Sequence, residues 1–550
     1  MDRRPTFPSK HRRVPPRAEL AVRSSPGTEL AVRSSPGTEL AVRSSSGTEL
    51  AVCSAPGAER AVCPSPAAPA IHPDHFTETV YRHQYSVGQV ALTLQFVVTA
   101  NVSLQAAACL MRILQPVFED TIETPHWTTG RWWLLRLGYY RLCRPKVRGD
   151  DWVWMTDHST QAGKERCLLI LGIRLGSLPP VGQCLRLEDM EVLALIPVEK
   201  SDKQVVYQQL CAVAEKMGVP RAILHDNGGD LGGGVALFEE AHPSTDGIYD
   251  MIHKAACLLK ARLEKDPTWK AFSTQAAQTK FATQQTELAF LVPPSQRRKA
   301  RFMNLGDLIR WASETLAILR ELPPVVLKHV TPERLEEKFG WLRDYEEPLR
   351  VWSQMQQVID IVNDFVRCQG HYPGSAVDLR RQLKPLSLTG PAKALRTELV
   401  AFVRHESRKA KRGERLPGST EVLESTFGKQ KEIQGHQSKG GFTGLLLALP
   451  ALLGTITADT VRAALKFAKT ADVIQWIRDN LGQSHQSKRR LAYDAVRKAG
   501  AEPVPSLGND RTGATESHGA MEQKKGEGRE RVLDHGRKRT ESGGKTDGVP

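Results

Sequence analysis

Nowhere in the 550 residues do two cysteines stand as CxxC, although the chain has nine cysteines. That absence excludes a zinc ribbon and a thioredoxin-type redox pair. The cysteines are scattered, several in apolar runs (Cys167, Cys211, Cys257), which suits reduced thiols in a cytosol. No apolar stretch approaches the roughly 20 residues that a bilayer demands. The best candidate, Gly444 to Ala458, is short and broken by Pro450. The N-terminus opens with arginines but lacks an apolar h-region, so no secretory signal is read there. A soluble cytoplasmic protein with no membrane partner is expected. Other chemistries are missing too. GGDLGGG, Gly228 to Gly234, lacks the Lys-Ser/Thr ending of a phosphate-binding P-loop. Neither a GxSxG elbow nor an HExxH zinc helix occurs. Acidic residues are the scarcer charge: Lys+Arg 76 against Asp+Glu 61 leaves a formal +15. That excess favours a polyanionic partner such as nucleic acid.

What is present falls into six segments. Residues 1–75 carry a ten-residue repeat, ELAVRSSPGT, starting at Glu19, Glu29 and Glu39 and decaying at Glu49 and Glu59. Ser, Pro and Gly dominate each unit, and one Leu-Ala-Val triplet per unit cannot offset the entropy of ordering, so disorder is expected. Residues 76–148 read as helices, with Ser103 capping LQAAACLMRIL and Thr128 or Thr129 capping GRWWLLRLGYYRL. Two short helices, the second rich in Arg and Trp, suggest a helix-turn-helix-like DNA-binding region in which Arg131 and Arg136 meet DNA. A plain helical bundle accounts for the same pattern. Residues 149–254 change period. WVWMTDH, CLLILGIRL and EVLALIPVE read as three consecutive strands, Gln204 to Gly218 as a helix, RAILHD as a fourth strand, and Ile248 to Ile252 as a fifth. Three strands, a helix and a further strand is the order of an α/β RNase H-like core with a mixed sheet. Residues 255–415 read as an all-helical insertion, 416–499 as the completion of the core with C-terminal helices, and 500–550 as a disordered tail.

Three carboxylates stand where such a core can use them. Asp157 ends the first strand and Asp226 the fourth, its neighbour in this topology, while Glu424 lies on a helix after the insertion. Two Mg²⁺ ions, for which Mn²⁺ can substitute, need oxygen ligands from converging segments with positions left open for phosphate and water. The alternative for any one of these acids is a turn or helix cap. Asp230 and Glu421 compete with Asp226 and Glu424, but Asp230 lies beyond two glycines and Glu421 sits nearer the helix start, where it serves the dipole. Basic clusters flank the insertion: Arg297, Arg298, Lys299 and Arg301 on one side, and Arg404, Arg408, Lys409, Lys411, Arg412 and Arg415 on the other. Either can be a solvated loop. The second runs into the third acidic block, so Arg408, Lys409, Lys411 and Arg412 are expected on the DNA backbone.

MTDHSTQAG, ILHDNGGDL and STEVLESTFGKQKE resemble the three catalytic blocks of the DDE-type transposases of bacterial insertion sequences. The resemblance covers roughly Tyr85 to Trp476. It implies metal ligation by Asp157, Asp226 and Glu424. It implies double-stranded DNA as partner, both element ends and target, a homo-oligomer on paired ends, and association with the nucleoid when bound. In many such enzymes a lysine follows the third acid after six residues, and Lys431 has that place; at about 100° per residue it shares a helix face with Glu424. The Tyr and Arg of the full signature are not in register, because Thr420 stands four before Glu424. Members with helical insertions often show Cys or Asp, two residues and His after the second acid; Asp250 to His253 fits, and His253 is thereby implied at the DNA. The implied activity is metal-dependent strand cleavage and strand transfer at inverted-repeat ends. An RNase H-like nuclease or resolvase without strand transfer, and a non-catalytic DNA-binding remnant, are the competing readings.

Overall fold

Uninterrupted apolar runs become central strands because both faces of each are covered. The computed structural model describes residues 71–118, 122–162, 165–296, 302, 305–436, 443–481 and 485–499. The decapeptide repeats, the C-terminal tail and the Arg297–Arg301 cluster lie outside the described residues. Three helices come first: α1 (Val87–Val98), α2 (Leu104–Leu114) and α3 (Trp127–Cys143). Ser86 and Gln89 close a capping box at α1, and Ser103 caps α2 by accepting from the Ala106 amide at 3.0 Å. The cap of α3 is His126, not a threonine.

The sheet follows: β1 (Trp152–Ala162), β2 (Glu165–Arg174), β3 (Glu191–Val198), helix α4 (Lys203–Met217), β4 (Ala222–His225), helix α5 (Leu231–Ala241) and β5 (Asp246–Tyr249). The fifth strand thus ends before Ile252, where a helix has already begun. The strand order is β3-β2-β1-β4-β5, with β1–β2 and β2–β3 antiparallel and β1–β4 and β4–β5 parallel. This mixed five-stranded sheet among many helices is compatible with an RNase H-like core.

Alternation along the strands splits the core into two layers. Trp154, Leu168, Ile170 and Ile223 face α4 and α5. Gly234 lets those helices close up, since a Cβ there would strike Val206. Val153, Met155, Leu169, Leu171 and Leu224 face the other side, where they join residues of α1–α3 and of the C-terminal segment in one cluster. Among the described residues the N-terminal helices therefore share their core with the sheet and the C-terminal segment.

A second cluster is built wholly within the insertion. Its helices are α6 (Met251–Leu263), α7 (Pro267–Thr283), α8 (Gly306–Glu321), α9 (Pro324–Leu327), α10 (Pro332–Phe339), α11 (Glu346–Gln369), α12 (Ser375–Gln382) and α13 (Gly390–Ser407). The chain then returns through α14 (Glu421–Gly435), α15 (Ala448–Ala451), α16 (Ala458–Phe467), α17 (Thr470–Leu481) and α18 (His485–Ala499). The apolar run around Pro450 is core: Leu445 to Leu453 are buried against α3 and its neighbours. Among the described residues no helix is long and apolar enough to cross a membrane. Cys184, in the loop before β3, is joined to Cys368 at the end of α11 with Cα atoms 4.3 Å apart; Cys167, Cys211 and Cys257, read above as reduced thiols, take no part in a disulfide.

Arg221, only 7% exposed at its side chain, anchors the returning loop at the start of β4. Nε and Nη2 reach Glu414 at 2.8 Å each, Nη1 reaches Asp246 at 2.5 Å, and Nη2 also reaches the Lys409 carbonyl at 2.6 Å. Arg221→Ala would strand Glu414, itself 12% exposed. A loss of about 3 kcal/mol is expected, as for other broken buried pairs. The urea midpoint checks it, and an unchanged midpoint would show the anchor to be dispensable.

Candidate active site

The parallel pairing of β1 with β4 puts two acids side by side. Its register runs Val153↔Ala222, Trp154↔Ile223, Met155↔Leu224. Continued by one alternation, it sets Asp157 beside Asp226, on the face of Met155 and Leu224. Asp226 directly follows the last residue of β4, whereas Asp157 lies midway along β1, which runs on to Ala162; this corrects the expectation that Asp157 ends its strand. The chain leaves β1 towards β2 on one side and returns to β4 on the other, and ligands favour such a divergence in α/β sheets. Just past β4, Asp226 Oδ1 accepts from the Gly228 amide at 2.9 Å, and Asn227 takes a left-handed φ of 58°. His225 Nδ1 accepts from the Asn227 amide at 3.1 Å, and burial pushes that imidazole down to about 4, so it is neutral.

Helix α14 crosses the same face. Leu423, Thr426, Phe427 and Gln430 are buried, while Glu424 and Lys431 are at the surface. The two are electrostatically coupled, as their shared helix face requires. Burial, then the charge of Asp226 and more weakly that of Glu424, push Asp157 up to about 7; the His158 amide, at 2.6 Å, and the charge of His253 work against the rise. Glu424 is raised by the protein around it and by Asp250 and Glu421, while His253 and Lys431 oppose. Burial disfavours a charged His253. The hydrogen bond to Asp250, at 2.6 Å from Nδ1, outweighs it, and with the charges of Asp250, Asp226 and Glu424 it raises the imidazole to about 9. Asp157, Asp226, Glu424 and His253 thus form one electrostatic group.

They do not form a ready coordination shell. Among the described residues no group of three or more His, Cys, Asp or Glu side chains is placed to hold a metal ion. The donor chemistry nevertheless fits a hard divalent cation: carboxylate oxygens from the middle of β1, the end of β4 and one helix, with a repulsion between Asp157 and Asp226 that a cation would relieve.

The two rival acids are otherwise engaged. Asp230 caps α5 and lies near His158 (3.7 Å) and Arg166 (3.4 Å). Glu421 pairs with Arg367 at 3.4 Å.

The expected DNA contacts divide. Arg408, Lys411 and Arg412 are exposed. Lys409 is turned inward: its Nζ reaches the Gly247 carbonyl at 2.6 Å and the buried Glu406 at 2.8 Å. The loop is held at the start of β4, so about 15 Å of strand separates its anchor from Asp226. Adjacency in sequence to Glu424 suggests closer quarters than the fold provides. Arg136 donates to the carbonyls of Leu465 (2.8 Å) and Ala468 (2.6 Å), satisfying the end of α16. Arg131 is half-buried, and burial lowers its pKa. Helix α3 thus spends Arg136 on packing. The residue that motif reading undervalued is Asp250, 1% exposed; the Asp250 to His253 pattern pointed to it, but only His253 was carried forward as a site residue.

No family model matches the chain, and no curated protein matches it. Among solved structures, the Drosophila P element transposase strand transfer complex is similar at a TM-score of 0.31 and 10% identity, over 68% of this chain and 91% of that one.

Proposed function

We propose that the protein is a DDE-type transposase that binds the inverted-repeat ends of its own element, cuts a DNA strand by metal-dependent hydrolysis, and joins the freed 3′-OH to target DNA. The observation that supports this reading is the gathering of Asp157 and Asp226, from adjacent parallel strands, with Glu424 from the helix crossing their face. These three would hold one or two Mg²⁺ ions, with Mn²⁺ able to substitute. A divalent cation supplies charge neutralisation at the phosphate and an acidified water. The chain's own groups do the placing. Lys431, one face with Glu424, meets a phosphate beside the cut, and His253 adds positive charge on the same side. Arg408, Lys411 and Arg412 hold the duplex further off. Cytoplasmic location with nucleoid association, and a homo-oligomer that pairs two ends, belong to the same proposal.

The test uses a labelled duplex taken from the DNA that borders the gene, with Mg²⁺. Cutting followed by joining to a second duplex is expected. Cutting without joining would make the protein a nuclease instead, and no cutting a remnant. The basic loop gives a separate prediction. Replacing Arg408, Lys411 and Arg412 together by Ala should weaken binding to any duplex and flatten the dependence of log K on log[salt] by about 2–3, near 0.9 for each phosphate left without its cation. Lys409→Ala should leave that slope unchanged, since its ammonium faces Gly247 and Glu406. An equal slope for all variants would remove the loop from the interface.

A further inference from the structure

Asp250 stands where the core, the start of the insertion and its return meet. Its amide donates to the His225 carbonyl at 2.9 Å, extending the β4–β5 ladder to the residue before Asp226. Its carboxylate, 1% exposed, accepts three hydrogen bonds. Oδ1 takes the Thr420 amide at 2.9 Å. Oδ2 takes the His253 amide at 2.9 Å and faces its Nδ1 at 2.6 Å. A further bond, Met251 N to Gly418 O at 3.0 Å, ties the outgoing and returning chains together one step away. The returning chain has no slack there, since a Cβ on Gly418 would strike His371 and Val366.

Thr420 begins α14. Its own side chain makes no cap, while its carbonyl accepts from Leu423 at 2.8 Å and from Glu424 at 3.4 Å. Whatever holds the Thr420 backbone therefore fixes the first turn of α14, which carries Glu424. A buried carboxylate with both oxygens used holds its donors firmly, because leaving any of them unpaired is unfavourable.

We propose that Asp250 is a positioning residue, a staple that holds the first turn of α14, and with it Glu424, against the strand end bearing Asp226. The inference rests on the transposase reading only where it concerns metal. It makes the two ends of a long insertion meet on one side chain, so the third acid is placed by a residue of the first half of the chain. Asp250, 1% exposed, acts through Thr420 and His253.

The experiment uses the full-length chain as wild type, Asp250→Ala, Asp250→Asn and Asp157→Asn, with two readouts: amide hydrogen exchange by peptide, and binding of Mn²⁺ followed by its paramagnetic signal. Asp250→Ala should speed exchange in both 251–254 and 419–424. It should also weaken Mn²⁺ on the order of 10-fold, the usual loss when a partner that orients a ligand is removed. Faster exchange confined to 251–254 would reduce Asp250 to a helix cap and overturn the staple. Faster exchange in both segments with unchanged Mn²⁺ affinity would overturn its role in placing Glu424. Should Asp250→Ala fail to fold, Asp250→Asn decides: its single carbonyl oxygen can serve Thr420 or His253 but not both, so one segment must loosen. Wild-type behaviour in both segments would overturn the proposal. If Asp157→Asn binds Mn²⁺ as wild type does, or neither binds, the metal reading fails, while the exchange data still decide the staple.

Discussion

Asp157→Asn, Asp226→Asn and Glu424→Gln should each abolish strand cleavage while duplex affinity stays near that of the wild type. Each change deletes one negative charge and keeps side-chain volume, so packing around β1, β4 and α14 should survive. Loss of a ligand to a cation that stabilises the attacking or leaving oxygen removes several kcal/mol of transition-state stabilisation, on the order of 10³-fold in rate or more. Asp157→Asn carries an added expectation. Burial and the neighbouring acids raise Asp157 to about 7, far above an ordinary aspartate, so its ionised form is the strained one. A group with a raised folded pKa favours folding at low pH and loses that advantage as pH rises through about 7. Asp157→Asn should therefore be at least as stable as wild type above pH 7. Asp230→Asn and Glu421→Gln are the controls, because Asp230 caps α5 and Glu421 answers Arg367. Cleavage rates on the bordering-DNA duplex, measured beside gel-shift affinities, decide the matter. A dead control beside a living neighbour would reassign that acid, and Asp157→Asn that still cuts would remove the metal site.

The neighbouring placement of two acids was legible because strand parity is a local property. Once WVWMTDH and RAILHD are read as strands that pair in parallel, Asp157 and Asp226 can stand side by side, and the observed register agrees over Val153↔Ala222 to Met155↔Leu224; that β1 runs on past Asp157 to Ala162 was not legible. The insertion was legible because no strand signal is read beyond Ile252 and apolar helical spacing takes over. Helix α3 was legible as a helix, but which of its two readings, groove-binding or packed, applies was not. Its Trp, Tyr and Arg pattern suits a groove-binding helix, yet Trp133, Leu134, Leu135 and Leu137 are all buried. What buries them includes a segment some three hundred residues later, and no local pattern announces such a partner. The same holds for Lys409 and Arg136. A cation in a basic run looks solvated until the carbonyls it caps are known, and those belong to β5 and α16. Asp250 was visible in the pattern that ends at His253, but its bond to Thr420 spans the whole insertion.

That distant partnership makes a second large effect expected, at Gly138. The α3 backbone passes so close to the turn before α15 that a Cβ on Gly138 would fall almost on the Leu447 carbonyl oxygen. Backbone cannot step aside as a flexible side chain can, so Gly138→Ala must push α3 away from Leu445, Leu447 and Ala451 in the layer that also covers β1. Overpacked cores commonly lose about 1–3 kcal/mol, and a clash with backbone belongs at the top of that range or beyond. Gly428→Ala is the counterpart. It lies inside α14 with nothing within 4 Å of the added carbon, so it should gain up to about 1 kcal/mol from helix propensity alone. The insertion has its own apolar cluster, from Met251 to Val403, separate from the one that contains α3. Gly138→Ala should therefore lower the melting of the sheet-bearing part while peptides from 251–407 keep their protection in limited proteolysis at the same temperature. If the variant melts in a single step with all protection vanishing together, the two clusters are one cooperative unit. The strain at Gly138 is then felt throughout the chain.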